Sequence, residues 1–236
     1  GTMNKKIEYW KNFKALDPQL KVLLEKASAT ELKDAFYTDL EFGTAGMRGL
    51  LGPGPNRLNI YTIRKANLAF ARYLLQYPKA KERGIAIAYD NRHMSKEFAM
   101  ESAAVMAKHG IKSYVFSSLR PTPELSYAVS FLHCEGGIVV TASHNPKVFN
   151  GEKVYDDKGC QLVPHLIDQV IAEINKIEDE LTIDVSLNES QKKLIHLIDK
   201  EVDVPYLNEV LACQLRPDQD KSKINLVFTC LLYTSR

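Results

Sequence analysis

Apolar residues between Ile7 and Lys26 recur at helical spacing among Lys, Glu and Asp, and the pattern resumes from Thr30 to Leu40. This predicts two N-terminal helices, with Thr30 as the N-cap of the second. From Glu41 to Asn59 the periodicity breaks on Gly43, Gly46, Gly49, Gly52, Pro53, Gly54 and Pro55. Such residues permit close backbone approach and unusual dihedrals, so the segment is read as a loop. A strongly periodic helix is predicted from Thr62 to about Gln76, and the short apolar run from Gly84 to Asp90 suits a buried strand.

A helix from Ser95 to His109 follows, then a strand near Ser113 to Ser117, a helix beginning near Pro123, and a third apolar strand from Gly137 to Thr141. Strands alternating with helices at this spacing predict βαβ units and an α/β fold, with a mixed, mostly parallel sheet flanked by helices. Gly151 to Tyr155 is expected to pair back as an extra strand, and Pro164 to Ile177 reads as an amphipathic helix. Glu178 to Lys192 is polar and weakly periodic, so a linker is placed there, with a helix around Val202 to Gln214 and a strand at Lys223 to Thr229 beyond it. The expected organisation is N-terminal helices over 1–40, a first α/β domain over 41–185, and the opening of a second, similar domain over 186–229.

With 236 residues, 45% of them hydrophobic, the chain can bury a sizeable core. A formal net charge of +2 and the lack of a concentrated basic run speak against nucleic acid as a partner. No apolar stretch approaches the length of a membrane span, so no membrane partner is expected. Cys134, Cys160, Cys213 and Cys230 form no CxxC pair, and reduced thiols in a cytoplasmic protein are expected. Gly1-Thr2 ahead of Met3 is read as a remnant outside the fold.

The sharpest chemical signal is Thr141-Ala142-Ser143-His144-Asn145-Pro146, directly after the third strand. Open α/β sheets gather ligands at the carboxyl ends of their strands, where Ser143 is well placed to react. Ser, Asn and Pro are also ordinary turn residues, so spacing alone leaves a structural turn open.

The whole string TASHNP, followed by Asn150-Gly151-Glu152-Lys153, resembles the phosphoserine loop of the α-D-phosphohexomutase family. Phe42-Gly43-Thr44-Ala45-Gly46-Met47-Arg48-Gly49 resembles that family's FGTxGxRG loop, in its phosphoglucomutase and phosphopentomutase branch. Tyr89-Asp90-Asn91-Arg92 and Pro121-Thr122-Pro123 also match in type, order and spacing, and the resemblance covers roughly residues 38 to 229. It implies a phosphohexomutase first domain and a mutase that shifts phosphate between the 1- and 6-positions of a sugar, glucose by the form of the FGTAGMRG loop. The intermediate would be a sugar bisphosphate, which also serves as activator.

Carried over by this resemblance, Ser143 is the phosphate carrier, and its phosphate is one ligand of Mg2+. Arg48 presents a planar donor fork to the phosphate, and Lys153 is a candidate for proton transfer with the sugar hydroxyl. His144 and Asn145 position the phosphate and fix the turn, and Thr44 adds a donor from the glycine loop. Asp90 and Arg92 are expected to pair and support the loop.

The family's DGDxDR metal loop is missing from this sequence, so the metal site is expected to be incomplete. Cys230 to Ser235 back-translates into the end of a common transposon-type adaptor, so 230–236 is expected to be a non-native tail. The chain is then expected to be an incomplete N-terminal portion with little or no mutase activity of its own. Two other readings stay open: a non-catalytic sugar-phosphate-binding module, and a serine hydrolase, which the missing GxSxG elbow disfavours. The sequence does not indicate an oligomeric state.

Overall fold

A computed structural model describes residues 1–142 and 145–215. The chain opens with three helices, α1 (Thr2–Asn12), α2 (Pro18–Lys26) and α3 (Ala29–Phe36). One long helix was expected where α1 and α2 lie, but Asp17 divides it. Its Oδ1 accepts from the backbone N–H of Gln19 and Leu20 at 3.0 and 3.1 Å, and Pro18 sits in the first turn of α2. The N-cap of α3 is Ser28 and not Thr30: Ser28 Oγ accepts from Glu31 N while Glu31 Oε1 accepts from Ser28 N, a complete capping box. Trp10, fully buried, meets Phe36 and Tyr61 edge-on and ties these helices to the body of the fold.

The body follows as β1 (Met47–Leu50), α4 (Ile60–Leu74), the single turn α5 (Ala80–Arg83), β2 (Ile85–Tyr89), α6 (Ser95–Lys108), β3 (Ser113–Phe116), α7 (Thr122–Phe131), β4 (Gly136–Val140) and β5 (Phe149–Tyr155). Then come α8 (Pro164–Ile174), a 3-10 turn at Glu180–Thr182, the short α9 (Glu189–Lys192), β6 (Ile195–Ile198) and α10 (Lys200–Leu215). The six strands form one mixed sheet in the order β1-β5-β4-β2-β3-β6. β4, β2, β3 and β6 run parallel, while β5 is antiparallel to both β4 and β1.

Two strands differ from the sequence reading. β1 lies inside the glycine-rich segment read as a loop, because its hydrogen-bonding partner is β5, a hundred residues away. β6 lies in the stretch expected to open a second domain, yet it pairs along β3 from Ser113↔Ile195 to Phe116↔Ile198. Without β6, β3 would present a row of unpaired N–H and C=O groups to solvent. The strand expected at Lys223 to Thr229 and the tail at 230–236 lie outside the described residues.

The central strands are buried on both faces. Ile85, Ile87, Ile138 and Val140 point towards Phe70, Phe98 and Met106 of α4 and α6. Ala86, Ala88 and Val139 point towards Leu125 and Val129 of α7, with Ile198 and Val202 beside them. Each large side chain so buried contributes about 1.5–3 kcal/mol. Cys134 and Cys213 are free thiols. No described helix is long and apolar enough to cross a membrane.

Candidate phosphate-handling site

The site forms at the carboxyl ends of β2 and β4 and along the β1–β5 pair. Asp90 N donates to Val140 O at 3.1 Å and Thr141 N to Gly151 O at 3.0 Å, so the end of β4 is held from both sides. Ser143 and His144 lie outside the described residues. On their far side, Asn145 N donates to Ala142 O at 3.1 Å and Phe149 N to Pro146 O at 2.9 Å, closing a compact return into β5.

Arg92 braces that return. Its Nη2 donates to Asn145 O at 2.6 Å, and its Nη1 to Pro146 O at 2.9 Å and Phe149 O at 3.1 Å. Only 14% of the side chain is exposed, and Nε lies 3.5 Å from Asp90 Oδ2. Asp90 in turn accepts from Arg92 N at 3.0 Å and Ser95 Oγ at 2.7 Å. The pair expected from the sequence is present, but the arginine's main work is to hold backbone carbonyls. Asn150, fully buried, completes the brace by donating to His93 O and Ser95 Oγ. The sequence reading quoted Asn150 only as part of the Asn150-Gly151-Glu152-Lys153 string and gave it no role of its own.

β1 supplies the second wall. Gly43 and Gly46 exchange backbone hydrogen bonds of 3.0 and 2.8 Å, which puts Thr44 at the tip of a tight exposed turn. Gly46 has φ +79°, and a Cβ there would stand 2.1 Å from Glu152 O and 2.9 Å from Lys153 Cα. Only glycine allows both that dihedral and that approach. From the following residues of β1, exposed Arg48 reaches across, its Nη1 3.4 Å from Asn145 Oδ1. Lys153 stands on β5 opposite Val139, half-buried.

Thus Thr44, Arg48, Asn145 and Lys153 come from segments a hundred residues apart to one edge of the sheet. An open cavity of about 1080 Å3 includes Thr44, Gly46 and Arg48 in its lining, with Asn56 and Asn175 across from them; Asn145 and Lys153 are not part of that wall. Among the described residues no group of three or more His, Cys, Asp or Glu side chains could hold a metal ion. The described residues therefore do not by themselves make a site for the Mg2+ that the resemblance implies.

Behind the wall lies a second set of residues that the sequence did not announce. Glu152, 1% exposed, is surrounded by α4 and α6 and receives hydrogen bonds from Asn67 and Ser102. Burial pushes its carboxyl up to about 7, against the opposing pull of those two hydrogen bonds.

The fold and site define an α/β protein whose strand ends bring a basic, glycine-hinged loop against the return into β5 at Asn145. Residues 39–181 match the model of the phosphoglucomutase/phosphomannomutase alpha/beta/alpha domain I. A phosphoglucomutase of Staphylococcus epidermidis is 41% identical over 212 residues, covering 88% of this chain and 38% of that protein. One from Staphylococcus aureus is 39% identical over 235 residues, 100% of this chain and 41% of that protein. The chain belongs to the phosphoglucomutase/phosphomannomutase family, and it spans about two fifths of the length of these curated relatives. In fold it is similar to the pp63/parafusin phosphoglucomutase of Paramecium in its open form, with a TM-score of 0.52 and 22% identity over 72% of this chain and 35% of that one.

Proposed function

We propose that this chain carries the phosphoserine part of a phosphosugar mutase, with residues 41–185 as the domain that holds it. The observation that carries this reading is the approach of Arg48 to Asn145, two residues after Ser143, from the opposite wall of the site. A planar guanidinium fork beside a serine turn suits the several oxygens of a phosphate.

In the proposed cycle, phosphorylated Ser143 gives its phosphoryl group to a free hydroxyl of a sugar monophosphate. The P–O bond to Ser143 breaks, a P–O bond to the sugar oxygen forms, and the hydroxyl proton passes by way of Lys153 to Ser143 Oγ. The bound bisphosphate turns over, and the same exchange in reverse returns its other phosphoryl group to Ser143. Arg48, Thr44, His144 and Asn145 hold the phosphate oxygens through this exchange. The FGTAGMRG form of the glycine loop favours glucose 1-phosphate and glucose 6-phosphate as the pair interconverted.

Phosphoryl loading tests this. The chain is incubated with Mg2+ and radiolabelled glucose 1,6-bisphosphate, digested, and the label located by mass spectrometry. Label on the Ser143 peptide that disappears in Ser143→Ala is expected; label that ignores this substitution, or none at all, overturns the covalent reading. The open cavity at Thr44 and Arg48 favours a second reading, a sugar-phosphate-binding module, for which calorimetry would find sugar-phosphate binding without labelling.

A further inference from the structure

We infer that Glu152 is a positioning residue of this site: as an uncharged acid it locks β5, and with it Gly151 and Lys153, against α4 and α6, and its ionisation loosens that lock.

Asn67 Nδ2 lies 3.1 and 3.0 Å from the two Glu152 oxygens, 2.9 Å from Ile63 O and 2.9 Å from Ser102 Oγ. It has two hydrogens for four acceptors. Ser102 Oγ lies 2.8 Å from Phe98 O and 3.1 Å from Glu152 Oε1, with one hydrogen for both. Asn67 Oδ1, also buried, has no donor at all. The cluster is short of hydrogens, and an ionised carboxylate would deepen the shortage.

One added proton relieves it for every group but Asn67 Oδ1. Glu152 Oε1–H donates to Ser102 Oγ, Ser102 donates to Phe98 O, and the two hydrogens of Asn67 go to Glu152 Oε2 and Ile63 O. Charge agrees with this count. The elements packed on Glu152 present Asn67 from α4, Ser102 from α6, Met47 from β1 and Val140 from β4, none of them charged. Arg64 and Glu101, on the same two helices, pair with each other at 2.8 Å. A lone buried charge without a counter-ion is strongly disfavoured.

The location gives the acid its role. Glu152 sits between Gly151, whose carbonyl receives Thr141 N, and Lys153, against whose Cα Gly46 is pressed. Side chains alternate along a strand, so Glu152 anchors one face of β5 while Lys153 is offered on the other.

The test compares the chain with Glu152→Gln, which keeps the shape and supplies N–H where the acid supplies O–H. The acid is favoured in the folded state, so the wild-type chain loses stability as pH rises from about 4.5 through about 7, and the Gln variant does not. The difference in Tm between variant and wild type should be small at pH 5 and widen by several degrees at pH 8; a difference independent of pH overturns the inference. Should the variant fail to fold, infrared spectra of a Glu124→Gln chain, which removes the other strongly raised carboxyl, supply the answer. A protonated-carboxyl band at pH 6 that fades by pH 9 supports the inference, and its absence at pH 6 sinks it.

The positioning role itself rests on the phosphoserine reading. Labelling of Ser143 should fall in wild type relative to Glu152→Gln between pH 6 and 9, and a constant ratio removes that role. If neither protein is labelled, the phosphoserine reading fails and the role with it, while the Tm comparison still decides the protonation state.

Discussion

Arg92 Nη2 donates to the backbone carbonyl of Asn145 at 2.6 Å, joining the loop after β2 to the segment that follows Ser143. Two more carbonyls of the same return, those of Pro146 and Phe149, accept from the adjacent nitrogen. A fork with fixed geometry therefore sets the path of the backbone from Asn145 to Phe149, while Arg48 reaches the side chain of the same Asn145.

Replacing Arg92 should therefore damage the site more than the fold. Arg92→Lys keeps a charge but offers one point where three carbonyls need a fork. Labelling of Ser143 from the sugar bisphosphate should fall at least about tenfold, while urea unfolding shows a loss of about 1–3 kcal/mol. Labelling at the wild-type rate would show that the brace does not position the loop.

The two glycines of the turn before β1 should respond differently to alanine. At Gly46 the new methyl collides with the backbone of Glu152 and the residue is held at φ +79°. A loss of about 2–4 kcal/mol is expected, from strain and displacement of β1 together. At Gly43 a Cβ meets nothing within 4 Å, and the change should stay within about 1 kcal/mol. Chemical denaturation of the two variants side by side checks the contrast.

Glu124 and Asp203 link α7 to α10 beneath Arg120, whose Nε lies 2.8 Å from Asp203 Oδ1 and 3.8 Å from Glu124 Oε2. Burial, then the hydrogen bond to Asp203, pushes Glu124 up to about 8, while the hydrogen bond from Arg120 holds Asp203 down. The pair thus keeps one proton near neutrality. A raised folded-state value means stability is lost as pH rises from about 4.5 through about 8. Glu124→Gln should remove that loss, so its Tm should gain on wild type between pH 6 and 9. Parallel Tm curves would show that the pair does not share a proton.

Capping distinguishes Ser28 from Thr30. Ser28→Ala removes the acceptor for Glu31 N and should cost about 1 kcal/mol, whereas Thr30→Ala, inside the first turn, should change stability by less than about 0.5 kcal/mol. Thermal unfolding of both variants measures the difference.

How far the sequence was legible follows the range of the forces involved. The helices α4 and α6 and the strands β2 and β4 could be read directly, because a 3.6-residue apolar period and a short run buried on both faces are local signatures. The serine-containing string and the glycine loop were legible as strings, and at Gly46 the close approach to Glu152 and the positive φ admit only glycine. α1 and α2 were run together, because the turn between them depends on Asp17 and Pro18 capping a new helix, a signal weaker than the apolar pattern on either side.

What remained for the tertiary structure was everything whose partner is distant. Four residues such as Met47–Leu50 or Ile195–Ile198 carry too little pattern to declare a strand, and become one only when β5 or β3 offers its free hydrogen-bonding edge. Arg92 was recognisable as a partner of Asp90, two residues away, but its three carbonyls are more than fifty residues along the chain. Glu152 read as one more charge between Gly151 and Lys153; folding placed it among Asn67 and Ser102 and no cation. Composition and period determined which segments would form helices and central strands. Only the fold decided which hydrogens each buried oxygen could reach, because hydrogen bonds act over about 3 Å in space, whatever the distance along the chain.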